Sequence, residues 1–142
     1  MKTSLFDVNL LLALAWPDHE HHEKAHEWLK SNQPGNWATC MLTQLGFIRI
    51  SSHPKFTTIP TSPGTAYTGL KTILKRKGHV FWREPAQGFK NPILMKRFQL
   101  AKNHADLSDT YLATLAELHG GILVTFDRRL AADHSDVTEL IE

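Results

Sequence analysis

Three aspartates in this chain stand where acid chemistry would need them. Asp7 ends the apolar run Leu5-Phe6 and Asp127 ends Leu123-Val124-Thr125-Phe126. Asp109 lies near the start of an amphipathic stretch that leads into the second of these runs. If both runs are strands of a parallel sheet, their carboxyl ends open onto one crevice, and a helix starting beside it points its first turn the same way. Carboxylates gathered at one place repel each other and hold their protons more tightly. A divalent cation removes that cost, and hard oxygen ligands in an open site suit Mg²⁺, with Mn²⁺ as the alternative. Each acid also has a plainer use. Asp106 and Asp109 could cap a helix start, and Asp127 could open the turn Asp127-Arg128-Arg129. Asp7 is the hardest to explain that way, because an acid inside an apolar run needs a partner when buried. Asn9 and Thr125 adjoin the acids and could hold a carboxylate by hydrogen bond, or simply cap a turn and a strand.

The elements that must position these groups follow from the apolar pattern. Short apolar runs alternate with amphipathic stretches. Strands are predicted over 3–8, 37–40, 79–82, 122–126 and 137–141. Helices are predicted over 9–15, 18–30, 42–50, 65–77, 92–102 and 107–119, with 51–64 as a loop holding three of the seven prolines. Gly120-Gly121 supplies the left-handed stop after the last helix. Such alternation gives an α/β fold, a parallel sheet with helices on both faces. A length of 142 residues fits one domain, 1–142.

Composition removes other classes. No apolar run is long enough to span a membrane, and the amino terminus lacks the apolar core of a secretion signal. The single cysteine, Cys40, excludes an internal disulfide framework and fits a reducing cytoplasm. The net charge of +2 is too small to argue for nucleic acid by itself. Its distribution says more: Lys71, Lys75, Arg76, Lys77 and Arg83 form one basic stretch, Lys90, Lys96, Arg97 and Lys102 a second, and Arg128-Arg129 a third. Each taken alone reads first as a solvated helix face. His22 and His26 have a spacing that can bind zinc, but no third ligand is evident besides Asp18. Trp16, Trp28, Trp37 and Trp82 are expected mainly in core or interface positions.

Several segments together resemble the PIN domain: Leu5-Phe6-Asp7-Val8-Asn9-Leu10-Leu11, Asp109-Thr110-Tyr111-Leu112-Ala113-Thr114-Leu115-Ala116 and Leu123-Val124-Thr125-Phe126-Asp127. Ala15-Trp16-Pro17, His21-His22, Trp37-Ala38-Thr39-Cys40 and Leu42-Thr43-Gln44-Leu45-Gly46-Phe47-Ile48-Arg49 narrow the likeness to the VapC-type ribonuclease toxins. The order and spacing of these segments cover essentially the whole chain. The resemblance implies a three-layer α/β/α fold around a mostly parallel sheet. It also implies a Mg²⁺-dependent endoribonuclease, neutralised by a small antitoxin protein and usually a homodimer, with Asp7, Asp109 and Asp127 in the acidic positions. Many members carry a glutamate in the helix after the second strand, where this chain has Gln44. Asp106, three residues before Asp109, is placed to restore the missing charge. Two other functions stay open: a catalytically silent PIN scaffold that binds RNA or a partner, and a haloacid-dehalogenase-like phosphatase with Asp7 as nucleophile. The latter wants a second acid where Asn9 stands.

Overall fold

A computed structural model describes residues 2–32 and 35–142. Five short strands form one sheet: β1 (Ser4–Phe6), β2 (Trp37–Cys40), β3 (His79–Trp82), β4 (Ile122–Thr125) and β5 (Thr138–Leu140). The order is β3-β2-β1-β4-β5 and every pairing is parallel. The chain first builds outward on one side of β1, then returns to pair β4 on the other. The sheet therefore changes winding direction between β1 and β4, where an open α/β sheet leaves a crevice at the carboxyl ends of its strands.

Alternation along the strands divides the core into two. Phe6, Trp37 and Val124 face one way, against α1 (Val8–Ala15), α2 (His22–Ser31), α3 (Met41–Ser51) and α4 (Pro63–Leu74). Leu5, Ala38, Cys40 and Leu123 face the other, against α6 (Leu107–Leu118) and α7 (Arg128–Asp133). α5 (Pro92–Leu100) packs on α6. This is the expected three-layer arrangement, with each sheet face burying its own apolar set. The apolar helix α1 is buried from Leu10 to Leu14, so it serves as core rather than cover.

The end of α6 is set by the sequence as expected. Gly120 adopts φ +61°, its N–H donates to Glu117 O, and Gly121 N–H donates to Ala116 O at 2.8 Å. Those two bonds satisfy carbonyls that the helix end would otherwise leave open. Gly121 is also a close approach, since a Cβ there would lie 2.6 Å from both Thr3 O and the Trp82 ring.

Several boundaries differ from the sequence expectation. α2 starts at His22, not at Asp18, because residues 17–21 form turns after Pro17. α4 starts inside the expected loop: Ser62 accepts from Thr65 N–H and Pro63 takes the first helical position. α7 occupies the place expected for a turn, and Asp127 caps it.

Candidate active site

Asp7 follows β1 and caps α1. Its Oδ1 accepts from Leu10 N–H at 2.8 Å, and its Oδ2 accepts from the Thr125 hydroxyl at 2.5 Å. Thr125 ends β4, so this bond crosses the switch point of the sheet. The same hydroxyl oxygen accepts from Asp127 N–H at 2.9 Å. One threonine thus ties the first acid to the backbone of the third. Asp127 in turn accepts from Arg129 and Leu130 N–H through Oδ1 and starts α7. Asp109 sits in the first turn of α6, half-buried, with no hydrogen bond or ion pair among the described residues.

The three acids feel one another. Burial pushes the Asp7 carboxyl up to about 6, against the pull of the Thr125 and Leu10 bonds, and the charges of Asp109 and Asp127 add to the rise. Asp109 is also pushed up to about 6, by burial first and then by Asp127 and Asp106. Arg129 works the other way on Asp109. A helix N-terminus favours a carboxylate; here burial and like charge outweigh it. Asp106 pairs with Arg129 at 3.2 Å and accepts from Lys102 N–H, and Arg129 reaches Asp133 at 3.8 Å. A cleft of about 190 Å³ opens among Asp106, Asp109, Asp127, Asp133 and His134.

Among the described residues, no three histidine, cysteine, aspartate or glutamate side chains are gathered tightly enough to form a finished cation site. The donor chemistry still fits a hard divalent ion: carboxylate oxygens only, mutually repelling, with Asp109 unengaged. The structure thus brings Asp7, Asp109, Asp127 and Thr125 to one edge, with Asp106 beside them.

Asn9 and Gln44 are placed differently. Asn9 is exposed, and its Oδ1 accepts from the His19 ring at 3.0 Å. The Gln44 amide donates to Thr39 Oγ1 at 3.0 Å, and Thr39 meets His79 at 2.7 Å. Thr39 is two residues after Trp37 in β2 and so shares its sheet face, away from α6, and Gln44 is held on that side. His22 and His26 spend ring nitrogens on the carbonyls of Ala13 and Leu14, the open end of α1. Sequence reasoning missed Asp133 and His134. The i, i+4 spacing of Arg129 and Asp133 was the available signal for the first. It also counted Arg97 as surface charge; the structure buries it between Glu117 and Asp136.

An acid-lined crevice at the switch point of a parallel α/β sheet is the place where folds of this class bind their ligands. The sequence pattern of the PIN domain matches residues 4–133. Ribonuclease VapC39 of Mycobacterium tuberculosis is 36% identical over 132 residues, 91% of each chain. Ribonuclease VapC29 of the same organism is 33% identical, covering 98% of this chain and 96% of its own. Of solved structures, FitAB bound to a DNA fragment superposes with TM-score 0.64 at 15% identity, over 97% of this chain and 94% of that one. PAE2754 from Pyrobaculum aerophilum gives 0.60 at 22% identity, over 96% and 83%. The chain belongs to the PIN-domain family, in its VapC-type group.

Proposed function

We propose that the chain is a divalent-metal-dependent endoribonuclease and the toxin of a toxin–antitoxin pair. The observation that carries the reading is the Thr125 bridge: one hydroxyl holds Asp7 and the Asp127 backbone at the switch point, beside an unengaged Asp109. Relatives known as ribonucleases, at 33% and 36% identity, support the substrate class.

Asp7, Asp109 and Asp127 would hold Mg²⁺ or Mn²⁺, with Asp106 at the rim. When bound, the ion supplies an activated water and neutralises charge growing on the scissile phosphate. The chain's own residues set the geometry. Leu10 N–H and the Thr125 hydroxyl fix both oxygens of Asp7, leaving it no rotational freedom. Arg128 and Arg129, both largely exposed, lie next in sequence to Asp127 and are placed to meet the RNA backbone. In-line attack by water leaves a 5′-phosphate and a 3′-hydroxyl.

Assembly belongs to the same proposal. Trp37 and Phe47 are buried in the core. The apolar surface lies instead at Met41 and Leu45 of α3, Phe81 of the edge strand β3, and Phe89, Met95 and Leu100 around α5. A homodimer and a docked antitoxin segment would cover such patches. No helix among the described residues is long and apolar enough to cross a membrane, and Cys40 is a buried free thiol. Both fit action in the cytoplasm. Gln44 favours the second reading, a silent RNA-binding scaffold, since it brings no charge to the acids.

Cleavage of a structured RNA by wild type, Asp7→Asn and Asp109→Asn separates the two. We expect both variants to fold normally by circular dichroism and to lose cleavage. Full activity in a folded Asp7→Asn protein would defeat the proposal.

A further inference from the structure

Hydrolysis by water needs no 2′-hydroxyl, so the chemistry proposed above does not by itself separate RNA from DNA. Discrimination must come from a contact with the sugar. The cleft beside the acids offers one.

His134 forms part of its wall although only 8% exposed. Arg97 Nη1 lies 3.1 Å from His134 Nδ1. A guanidinium can only donate, so Nδ1 is the acceptor and the ring proton sits on Nε2. Arg97 is itself fixed, its Nε donating to Glu117 at 2.8 Å and its Nη2 to Asp136 at 2.6 Å. The ring is therefore held from behind in one tautomer. Nε2 has no hydrogen-bond partner among the described residues. Among the described residues, the one fully buried side-chain nitrogen or oxygen without a partner is Thr110 Oγ1, so Nε2 keeps some exposure, in a residue that lines the cleft. Burial and the Arg97 charge keep the imidazole from taking a second proton, against the opposite pull of Asp133, Asp136 and Asp106.

The cleft wall thus combines one neutral N–H donor with the carboxylates of Asp106, Asp109, Asp127 and Asp133 and the guanidinium of Arg129. Four aspartates against one arginine leave the wall negative away from any bound cation, which disfavours a further phosphate there. A hydroxyl fits such a wall, accepting from Nε2–H and donating to a carboxylate oxygen, and the ribose 2′-hydroxyl is both donor and acceptor. We propose that His134, held by Arg97, binds a ribose 2′-hydroxyl of the substrate in this cleft and so selects RNA over DNA. The inference rests on the ribonuclease reading and states how that site recognises its sugar.

Two variants divide the ring's functions. His134→Asn places an oxygen near the Nδ1 position, keeping the Arg97 bond, but has nothing at Nε2. His134→Gln reaches farther and returns an N–H toward the cleft. Binding is measured under chelator, to prevent cleavage, with an RNA oligonucleotide and with strands carrying one 2′-deoxy position each. For wild type, one position should weaken binding about tenfold, the size of one lost hydrogen bond. His134→Asn should bind the all-ribose strand no better than that deoxy strand, with its melting temperature retained. His134→Gln should recover part of the preference. On the unaltered protein, the His134 N–H resonance should move with the ribose strand and stay still with the deoxy strand. A folded His134→Asn protein with full sugar preference, a wild type indifferent to every deoxy position, or an unmoved resonance with ribose overturns the proposal. If wild type cleaves RNA while any of these holds, only the sugar contact fails. If wild type neither binds nor cleaves RNA, the ribonuclease reading fails with it.

Discussion

The two ends of the sheet make opposite sites. At the amino ends of the strands lies the larger cavity, about 490 Å³, bounded by Trp28, Trp37, Lys2, Arg76, Lys77 and Glu139. Glu139 is the one acid in its described wall, and it already accepts from Trp28 Nε1 at 2.6 Å. At the carboxyl ends lies a cleft of about 190 Å³ with four aspartates in its wall and Asp7 buried beside it. Chemistry here follows strand direction rather than size of void. Parallel strands bring their carboxyl ends, and the helix starts that follow them, to one edge. That is why Asp7, Asp109 and Asp127 lie at one edge of the sheet although far apart in sequence.

The comparison can be broken most easily at the acids. Asp127→Asn should bring RNA cleavage to background in a folded protein, as Asp7→Asn should; retention of cleavage would move the chemistry elsewhere. Thr125→Val keeps shape but removes the hydroxyl that orients Asp7. Loss of such an outer support typically costs about 10–100-fold in activity or metal affinity, and a calorimetric Mn²⁺ titration beside the cleavage assay would read both.

Stability against pH should set the two ends apart as well. Asp7 has a folded value of about 6 against an ordinary 3.8, so the folded state binds more protons between them. Stability of the metal-free protein from this group is then full below about pH 4 and lost as pH rises to about 6. The loss is about 3 kcal/mol. Asp109 acts in the same direction. Denaturant melts from pH 4 to 7 should show Asp7→Asn gaining on wild type as pH rises; parallel curves would contradict the burial of that charge. The smallest effect is expected at the amino-end cavity. Arg76→Ala and Lys77→Ala should leave cleavage of a short RNA unchanged, and a loss comparable to Asp127→Asn would make that end part of the site.

Much of this arrangement was legible in the sequence, for local reasons. β2 and β3 fall where expected because compact runs, Trp37–Cys40 and His79–Trp82, are preceded by turn residues, Gly35-Asn36 and Gly78. The stop of α6 is legible because a left-handed residue after a helix calls for glycine. α7 was not, since six residues are too few to show an apolar period, although Asp127 had a capping side chain in plain view. Asp7 and Asp127 were legible from strand ends and Asp109 from a helix start. The partners of Asn9, Gln44 and Arg97 were not, because each is set by a tertiary neighbour, His19, Thr39 and the Glu117–Asp136 pair, that no local pattern specifies.

The central claim is that the carboxylates act through a divalent ion. Its most direct test is cleavage of a structured RNA by wild-type protein stripped with chelator, then supplied with Mg²⁺ or Mn²⁺. The account predicts no cleavage in chelator and full recovery with either ion, with 5′-phosphate and 3′-hydroxyl ends on the products. Undiminished cleavage in chelator would contradict it.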